Sequence, residues 1–358
     1  MNLIGAALAL ASLLIATQTQ STVASSEATP PPSSPTPSSP TPSSDLNYKA
    51  SIKAVRGHRP YMEDEFIVSP GSRFCGVFDG HGGSKVSQYL RDNLYSKFSS
   101  KLSRQQSLPE VVDAIKDSFK EVDDEVQAVK KWSYQGSTAV VCYMHSDEKT
   151  GETTIVSANV GDSRAVLSRQ GKAKDLTVDH KPNDKREKSR IKKLGGKVSW
   201  FGYRDNKGKP IPGSGVYRIN GNLAVARAIG DRTETPFVSS EVEILDYKVE
   251  EGDEFIILAS DGVWDVMTSE ETVDFVHQML RGSVGALPSG DGTRKAVLKM
   301  SDWAMKEGDD SDIIQKAVSM RKKKMAKFLV EESMRRGSSD NICAIVLWLD
   351  KERRTRPD

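Results

Sequence analysis

Two short apolar runs each end in an aspartate followed by glycine. Phe74-Cys75-Gly76-Val77-Phe78 passes straight into Asp79-Gly80-His81-Gly82-Gly83, and Phe255 to Ala259 passes into Ser260-Asp261-Gly262. Runs of this length bounded by turn residues read as buried strands. Asp340-Asn341 opens a further run, Ile342 to Leu349, and Glu63-Asp64 comes after a first strand-like run, Ser51 to Val55. The fold must therefore carry several acids at the ends of buried strands, where they can converge at one rim.

Taken singly, an Asp-Gly is most often a turn. Four strand-end acids beside a Gly-His-Gly-Gly argue for more. Glycine lets the backbone turn sharply and come close to a ligand. An oxygen-rich cluster on rigid elements suits hard cations such as Mg²⁺ and Mn²⁺.

The rest of the chain supplies the layers. Strand-like runs also cover Thr138 to Met144, Thr154 to Val160 and Ala165 to Ser168. Turns at Ser146 to Gly151 and Gln170-Gly171 link neighbours without an intervening helix, so the pairing should be largely antiparallel. Val86, Leu90, Leu94 and Phe98 recur at helical spacing, as do Leu108, Val111, Val112, Ile115, Phe119, Val122 and Val126. Ser107 before Leu108-Pro109-Glu110 is a start signal for the second of these helices. Two more helices are expected near Ser269 to Met279 and Ile314 to Arg335. Strands in blocks with helices segregated between them predict an α+β layered domain.

Composition excludes some partners. Fifty-one basic residues face 49 acidic ones for a net charge of +2, so no strong field points at nucleic acid. The basic runs Lys185 to Lys193, Arg321 to Lys327 and Lys351 to Arg356 read as solvated helix faces and tail. Cys75, Cys142 and Cys343 each sit in an apolar run without metal or redox spacing, and are expected as buried reduced thiols, which favours a reducing compartment. The N-terminus points elsewhere. Leu3 to Ala16 is short for a membrane span and the right length for a signal h-region. Residues 1–24 are expected as a signal peptide or signal anchor, 25–46 as a Pro/Ser/Thr-rich spacer, and 47–358 as the folded catalytic domain. Localisation to a membrane or the secretory pathway follows from the leader, with cytoplasm or plastid as the alternative.

Eight motifs, ordered along residues 50–350, resemble the type 2C family of metal-dependent protein phosphatases. They are Arg59-Pro60-Tyr61-Met62-Glu63-Asp64; Val77 to Gly83; Gly136-Ser137-Thr138-Ala139; Asn159-Val160-Gly161-Asp162-Ser163-Arg164; Asp179-His180-Lys181-Pro182; Asn220 to Asp231; Ala259 to Asp265; and Ser339-Asp340-Asn341. The resemblance implies a four-layer αββα sandwich, with two central antiparallel sheets flanked by helices. It implies a serine/threonine phosphatase acting on phosphoproteins as a monomer, with two Mg²⁺ or Mn²⁺ ions and no phospho-enzyme. Asp79 would bridge the ions. The Gly80 carbonyl and Glu63 would serve one, and Asp261 and Asp340 the other, while Asp64 would orient these ligands from behind. Arg59 would grip the phosphate and His81 would protonate the leaving oxygen. Asp162 and Asp265 match positions that bind a weaker third ion in some relatives.

The chemistry suits those residue types. A phosphate monoester dianion repels hydroxide, and two metals answer this by acidifying water and neutralising phosphoryl charge. A guanidinium donates two parallel hydrogen bonds to phosphate. A histidine can supply the proton a leaving alkoxide needs. No cysteine lies in a phosphate-binding nucleophile loop. His180 reads as fold-supporting, and Trp264 and Trp348 as core. Two stretches, Tyr203 to Gly215 and Arg281 to Asp312, look longer than usual and loop-like. Rival readings are a catalytically dead relative serving as a scaffold, a hydrolase of small-molecule phosphates, and a non-enzymatic wall or secreted protein. The retained acids count against the first and are superfluous to the last.

Overall fold

Period-two alternation sorts each apolar strand into two faces, and this builds the layers. The computed structural model describes residues 47–103, 106–282 and 311–349. In chain order its strands are β1 (Lys49–Val55), β2 (Glu65–Val68), β3 (Phe74–Phe78), β4 (Gly80–His81), β5 (Gly136–Ser137), β6 (Ala139–Ser146), β7 (Thr153–Val160), β8 (Arg164–Arg169), β9 (Lys172–Asp175), β10 (Val198–Arg204), β11 (Pro210–Ile219), β12 (Ile229–Gly230), β13 (Glu243–Lys248), β14 (Asp253–Ala259) and β15 (Ile342–Trp348). The helices are α1 (Lys85–Lys101), α2 (Leu108–Ala128), α3 (Lys185–Lys193), α4 (Asp261–Trp264), α5 (Ser269–Arg281) and α6 (Ser311–Arg335).

Two five-stranded sheets, β1-β15-β14-β8-β9 and β13-β7-β6-β3-β2, form the centre, and every strand ladder among the described residues is antiparallel. Cys75 and Val77 of β3 pack against Ile256 and Leu258 of β14 and Ile345 and Leu347 of β15 between the sheets. Phe74 and Phe78 point the other way, to Leu90, Leu94 and Phe98 of α1 and Ile115 and Phe119 of α2. Phe255, Ile257 and Ala259 point to Val273 and Val276 of α5 and Leu329 and Val330 of α6. The order is helix, sheet, sheet, helix. Each large side chain fully buried here contributes about 1.5–3 kcal/mol.

The helices start where their caps are. Ser107 N–H donates to Glu110 Oε2 at 2.7 Å, closing a capping box at α2. Thr268 and Glu271 close another at α5, which stops at Gly282 with φ +70°. The turn between β8 and β9 takes Gln170 and Gly171 through positive φ.

Tyr203 to Gly215 is a loop only at 205–209: the rest is the far end of the β10–β11 hairpin, paired from Val198–Ile219 to Arg204–Pro210. The basic run Lys185 to Lys193 is a helix, but not merely a solvated one. Glu187 is buried between Arg190 (2.9 Å) and Arg227 (2.6 Å). The three cysteines are free and buried between the sheets, as expected, and burial pushes the Cys75 thiol up to about 12. Trp264 and Trp348 lie in the core. The expected leader and spacer at 1–46, most of the excursion at 281–312, and the basic tail at 351–356 lie outside the described residues. No described helix is long and apolar enough to cross a membrane.

Candidate active site

The acids meet because the registers align. Glu65 pairs with Phe78, which puts Asp64 and Asp79 side by side at one end of that ladder. Ala259 pairs with Ala344, and Ser260 N–H donates to the Cys343 carbonyl, so Asp261 and Asp340 leave adjacent strands at the same rim. Asp162 leaves the end of β7. Its neighbour Ser163 contacts Thr138 at 2.7 Å, and Thr138 Oγ1 accepts from Asp79 N–H at 3.2 Å.

This gathering is electrostatically costly for the protein alone. Asp79 lies near enough to Asp64 and Asp261 for their charges to act on one another. Asp64 accepts from Ser260 Oγ at 2.7 Å through Oδ2, while its buried Oδ1 has no partner. Burial first, and then the charges of Asp261 and Asp340, push Asp64 up to about 8 against the pull of the Ser260 bond. Burial and its acidic neighbours drive Asp79 and Asp261 well above the carboxylate range. Crowded carboxylates are relieved by a proton or by a nearby cation. The donor set, all oxygen and anionic, fits Mg²⁺ or Mn²⁺. Among the described residues no three His, Cys, Asp or Glu side chains stand in an arrangement that could hold a metal ion as they are. Asp340 is paired with Arg59, whose Nη2 lies 2.5 Å from its Oδ2.

The expected phosphate grip sits on a tethered loop. Arg59 is exposed, and the segment around it is tied to the rim by Asn341. That buried side chain donates to the Arg56 and Tyr61 carbonyls at 2.7 and 2.9 Å and accepts from Glu63 N–H at 2.7 Å. The Glu63 carbonyl accepts from Ser87 Oγ at 2.5 Å. Asn341 and Ser260 stood in the motifs without a role. Their function as struts depends on partners that lie far off in sequence.

His81 has a partner the sequence did not reveal. A small sheet ordered β12-β5-β4 aligns Gly230 with Gly136 and Gly136 with His81. Asp231 follows in the left-handed region at φ +48°, and its Oδ2 lies 2.7 Å from His81 Nε2. A Cβ on Gly136 would sit 2.1 Å from that oxygen and 2.6 Å from Nε2, so the strand between the pair must be bare there. Burial works to lower the His81 pKa. The hydrogen bond and charge of Asp231, helped by Asp162 and Glu63, overcome it and hold the imidazole above its ordinary value. The ring remains 24 % exposed, so it can reach a ligand.

Asp162 and Asp265 share a cation already. Lys181 Nζ lies 3.1 Å from Asp265 Oδ1 and 3.7 Å from Asp162 Oδ2. His180, expected to support the fold, is buried, with Nδ1 accepting from Gly161 N–H at 3.1 Å and Nε2 in a long 3.4 Å contact with Glu243.

The profile of protein phosphatase 2C matches residues 49–342. The chain belongs to the protein phosphatase 2C family. It is 34 % identical over 305 residues to "Probable protein phosphatase 2C 69" of Arabidopsis thaliana, covering 83 % of this chain and 69 % of that protein. It is 33 % identical over 282 residues to "Probable protein phosphatase 2C 7" of Oryza sativa subsp. japonica, covering 76 % and 65 %. The alignment with "Probable protein phosphatase 2C 76" of Arabidopsis thaliana reaches 57 % of that protein, so parts of these family members lie outside the match. Among solved structures, a C. elegans sex determining protein superposes with TM-score 0.63 at 25 % identity, over 85 % of this chain and 65 % of that one. Serine-threonine phosphatase 2C from Toxoplasma gondii superposes with TM-score 0.56 at 23 % identity, over 86 % and 96 %. The α+β protein phosphatase 2C fold is thus shared.

Proposed function

We propose that this chain is a metal-dependent protein serine/threonine phosphatase, which splits the phosphate ester of phosphoserine or phosphothreonine by attack of water, without a phospho-enzyme. The observation that carries this reading is the convergence of Asp64, Asp79, Asp261 and Asp340 at one rim through the strand registers, a crowding of carboxylates that a proton or a cation must relieve. Asp79, the Gly80 carbonyl and Glu63 would hold one Mg²⁺ or Mn²⁺ ion, and Asp79, Asp261 and Asp340 a second. Such ions acidify water and neutralise charge on the phosphoryl oxygens.

The remaining work falls to the chain's own groups. Asp64, braced by Ser260, orients its neighbours. Arg59, on a loop pinned by Asn341, binds the phosphate through its planar fork once Asp340 is otherwise engaged. His81 gives a proton to the serine or threonine oxygen as the P–O bond to it breaks and the P–O bond to water forms. With Nε2 turned to Asp231, Nδ1 is the nitrogen free to donate. Phosphoproteins are the proposed substrates. The leader at 1–24 is proposed to direct the chain to a membrane system.

The test is hydrolysis of a phosphoserine peptide by the purified chain. Release of phosphate should require added Mn²⁺ or Mg²⁺ and stop with EDTA; turnover that survives EDTA would contradict the reading.

A further inference from the structure

Asp162 is 5 % exposed, and its Oδ1 has no hydrogen-bond partner among the described residues. Its Oδ2 is 3.7 Å from Lys181 Nζ, which leans 3.1 Å to Asp265 Oδ1 on the solvent side. The neighbouring acid, Asp179, is taken by Arg164 in a two-point pair at 2.8 and 2.7 Å. Lys181 thus stands between the two acids that the family resemblance offers to a third ion. The backbone beside it is fixed. His180 N–H donates to the Gly161 carbonyl and Ala226 N–H to the His180 carbonyl, both at 2.8 Å, and Pro182 follows. Only the flexible side chain can move the ammonium in or out.

We propose that the Lys181 ammonium is a built-in cation at the Asp162–Asp265 position, which a divalent ion enters only by displacing it. The proposal rests on the reading of the rim as a metal-dependent phosphatase centre. An ammonium brings one charge and three donors, and here it leaves Asp162 Oδ1 unused. A hard divalent ion takes several carboxylate oxygens at once and would use that atom. The ion must evict a charge-assisted contact, so it binds weakly. Lysine 181 thereby sets the divalent concentration at which the third position fills, independently of the two inner ions.

Equilibrium dialysis of the full chain against Mn²⁺, with metal analysis, tests this in the wild type, Lys181→Met and Lys181→Arg. The expected result is a weakest class of bound Mn²⁺ that tightens at least tenfold in Lys181→Met, equivalent to about 1.4 kcal/mol, and does not tighten in Lys181→Arg. An unchanged weakest class in Lys181→Met, or no third ion in either protein, overturns the proposal. Wild type that binds no Mn²⁺ at all overturns the phosphatase reading with it, a distinguishable pattern. Should Lys181→Met fail to fold, the wild-type chain carries a second test. Acylation of Lys181, followed by mass spectrometry, should rise as Mn²⁺ is titrated through the weakest class; reactivity that stays level or falls overturns the proposal.

Discussion

Nη2 of Arg59 lies 2.5 Å from Oδ2 of Asp340. The group proposed to grip phosphate and a group proposed to hold metal are thus paired with each other. An ion that claims Asp340 would release Arg59 toward the incoming phosphate. The Arg59 side chain is 54 % exposed, so the pair adds at most about 1 kcal/mol to stability. Arg59→Ala should therefore leave the melting temperature almost unchanged while raising KM for a phosphopeptide by about tenfold or more, as expected for loss of a bidentate phosphate contact. Arg59→Lys should restore little of it. An unchanged KM in Arg59→Ala would remove this residue from substrate binding.

The Asp231–His81 pair makes a prediction about leaving groups and pH. Asp231→Asn removes the charge that raises the His81 pKa. The protonated form is then lost at lower pH, so the alkaline limb of the kcat profile should move down. Loss of general-acid work costs roughly 10²–10⁴-fold, and should fall on phosphoserine peptides far more than on aryl phosphates, which leave without help. Equal losses on both substrates, with an unmoved profile, would make Asp231 structural only.

His180 predicts an acid limit to stability. Burial, and then Arg227, lower its pKa to about 4 from an ordinary value of 6.5. Its Nδ1 already accepts from Gly161 N–H, so a second proton must break that bond. The unfolded chain binds the proton first, so stability is full above about pH 6.5 and falls as pH drops toward 4. The loss is on the order of 3 kcal/mol. Urea denaturation between pH 4 and 7 should show this slope in the wild type and a shallower one in His180→Gln. Parallel slopes would contradict it.

Asp79→Asn separates stability from activity. It removes one of the mutually repelling carboxylates at the rim, so the metal-free variant should melt no lower than the wild type, and hydrolysis should fall at least 10³-fold. A variant of near-normal rate would exclude Asp79 from the site. One that melts well below the metal-free wild type would show that the Asp79 charge is stabilising rather than crowded.

How much of this was readable beforehand depended on range in sequence. The unbroken apolar runs Phe74 to Phe78 and Phe255 to Ala259 announced buried strands, and Asp79 and Asp261 could be placed at their ends. Ser107 and Glu110 announced α2, because a capping box is local. Residues such as Asp231 could not be assigned that way. Its pairing with His81 spans 150 positions and depends on a bare Gly136 between them. The Arg59–Asp340 and Lys181–Asp265 pairs likewise join elements distant in the chain. The β10–β11 hairpin hid behind Gly202, Gly208, Gly213 and Pro210, turn-forming residues that resemble a loop more than a ladder.

The most direct measurement is a crystal of the chain soaked in Mn²⁺, with anomalous scattering recorded at the manganese edge. Two manganese peaks are predicted at the rim, both beside Asp79, with Asp261 and Asp340 at one of them and Asp340 swung away from Arg59. Anomalous maps with no peak among these acids, their carboxylates turned to separate surroundings, would contradict the account.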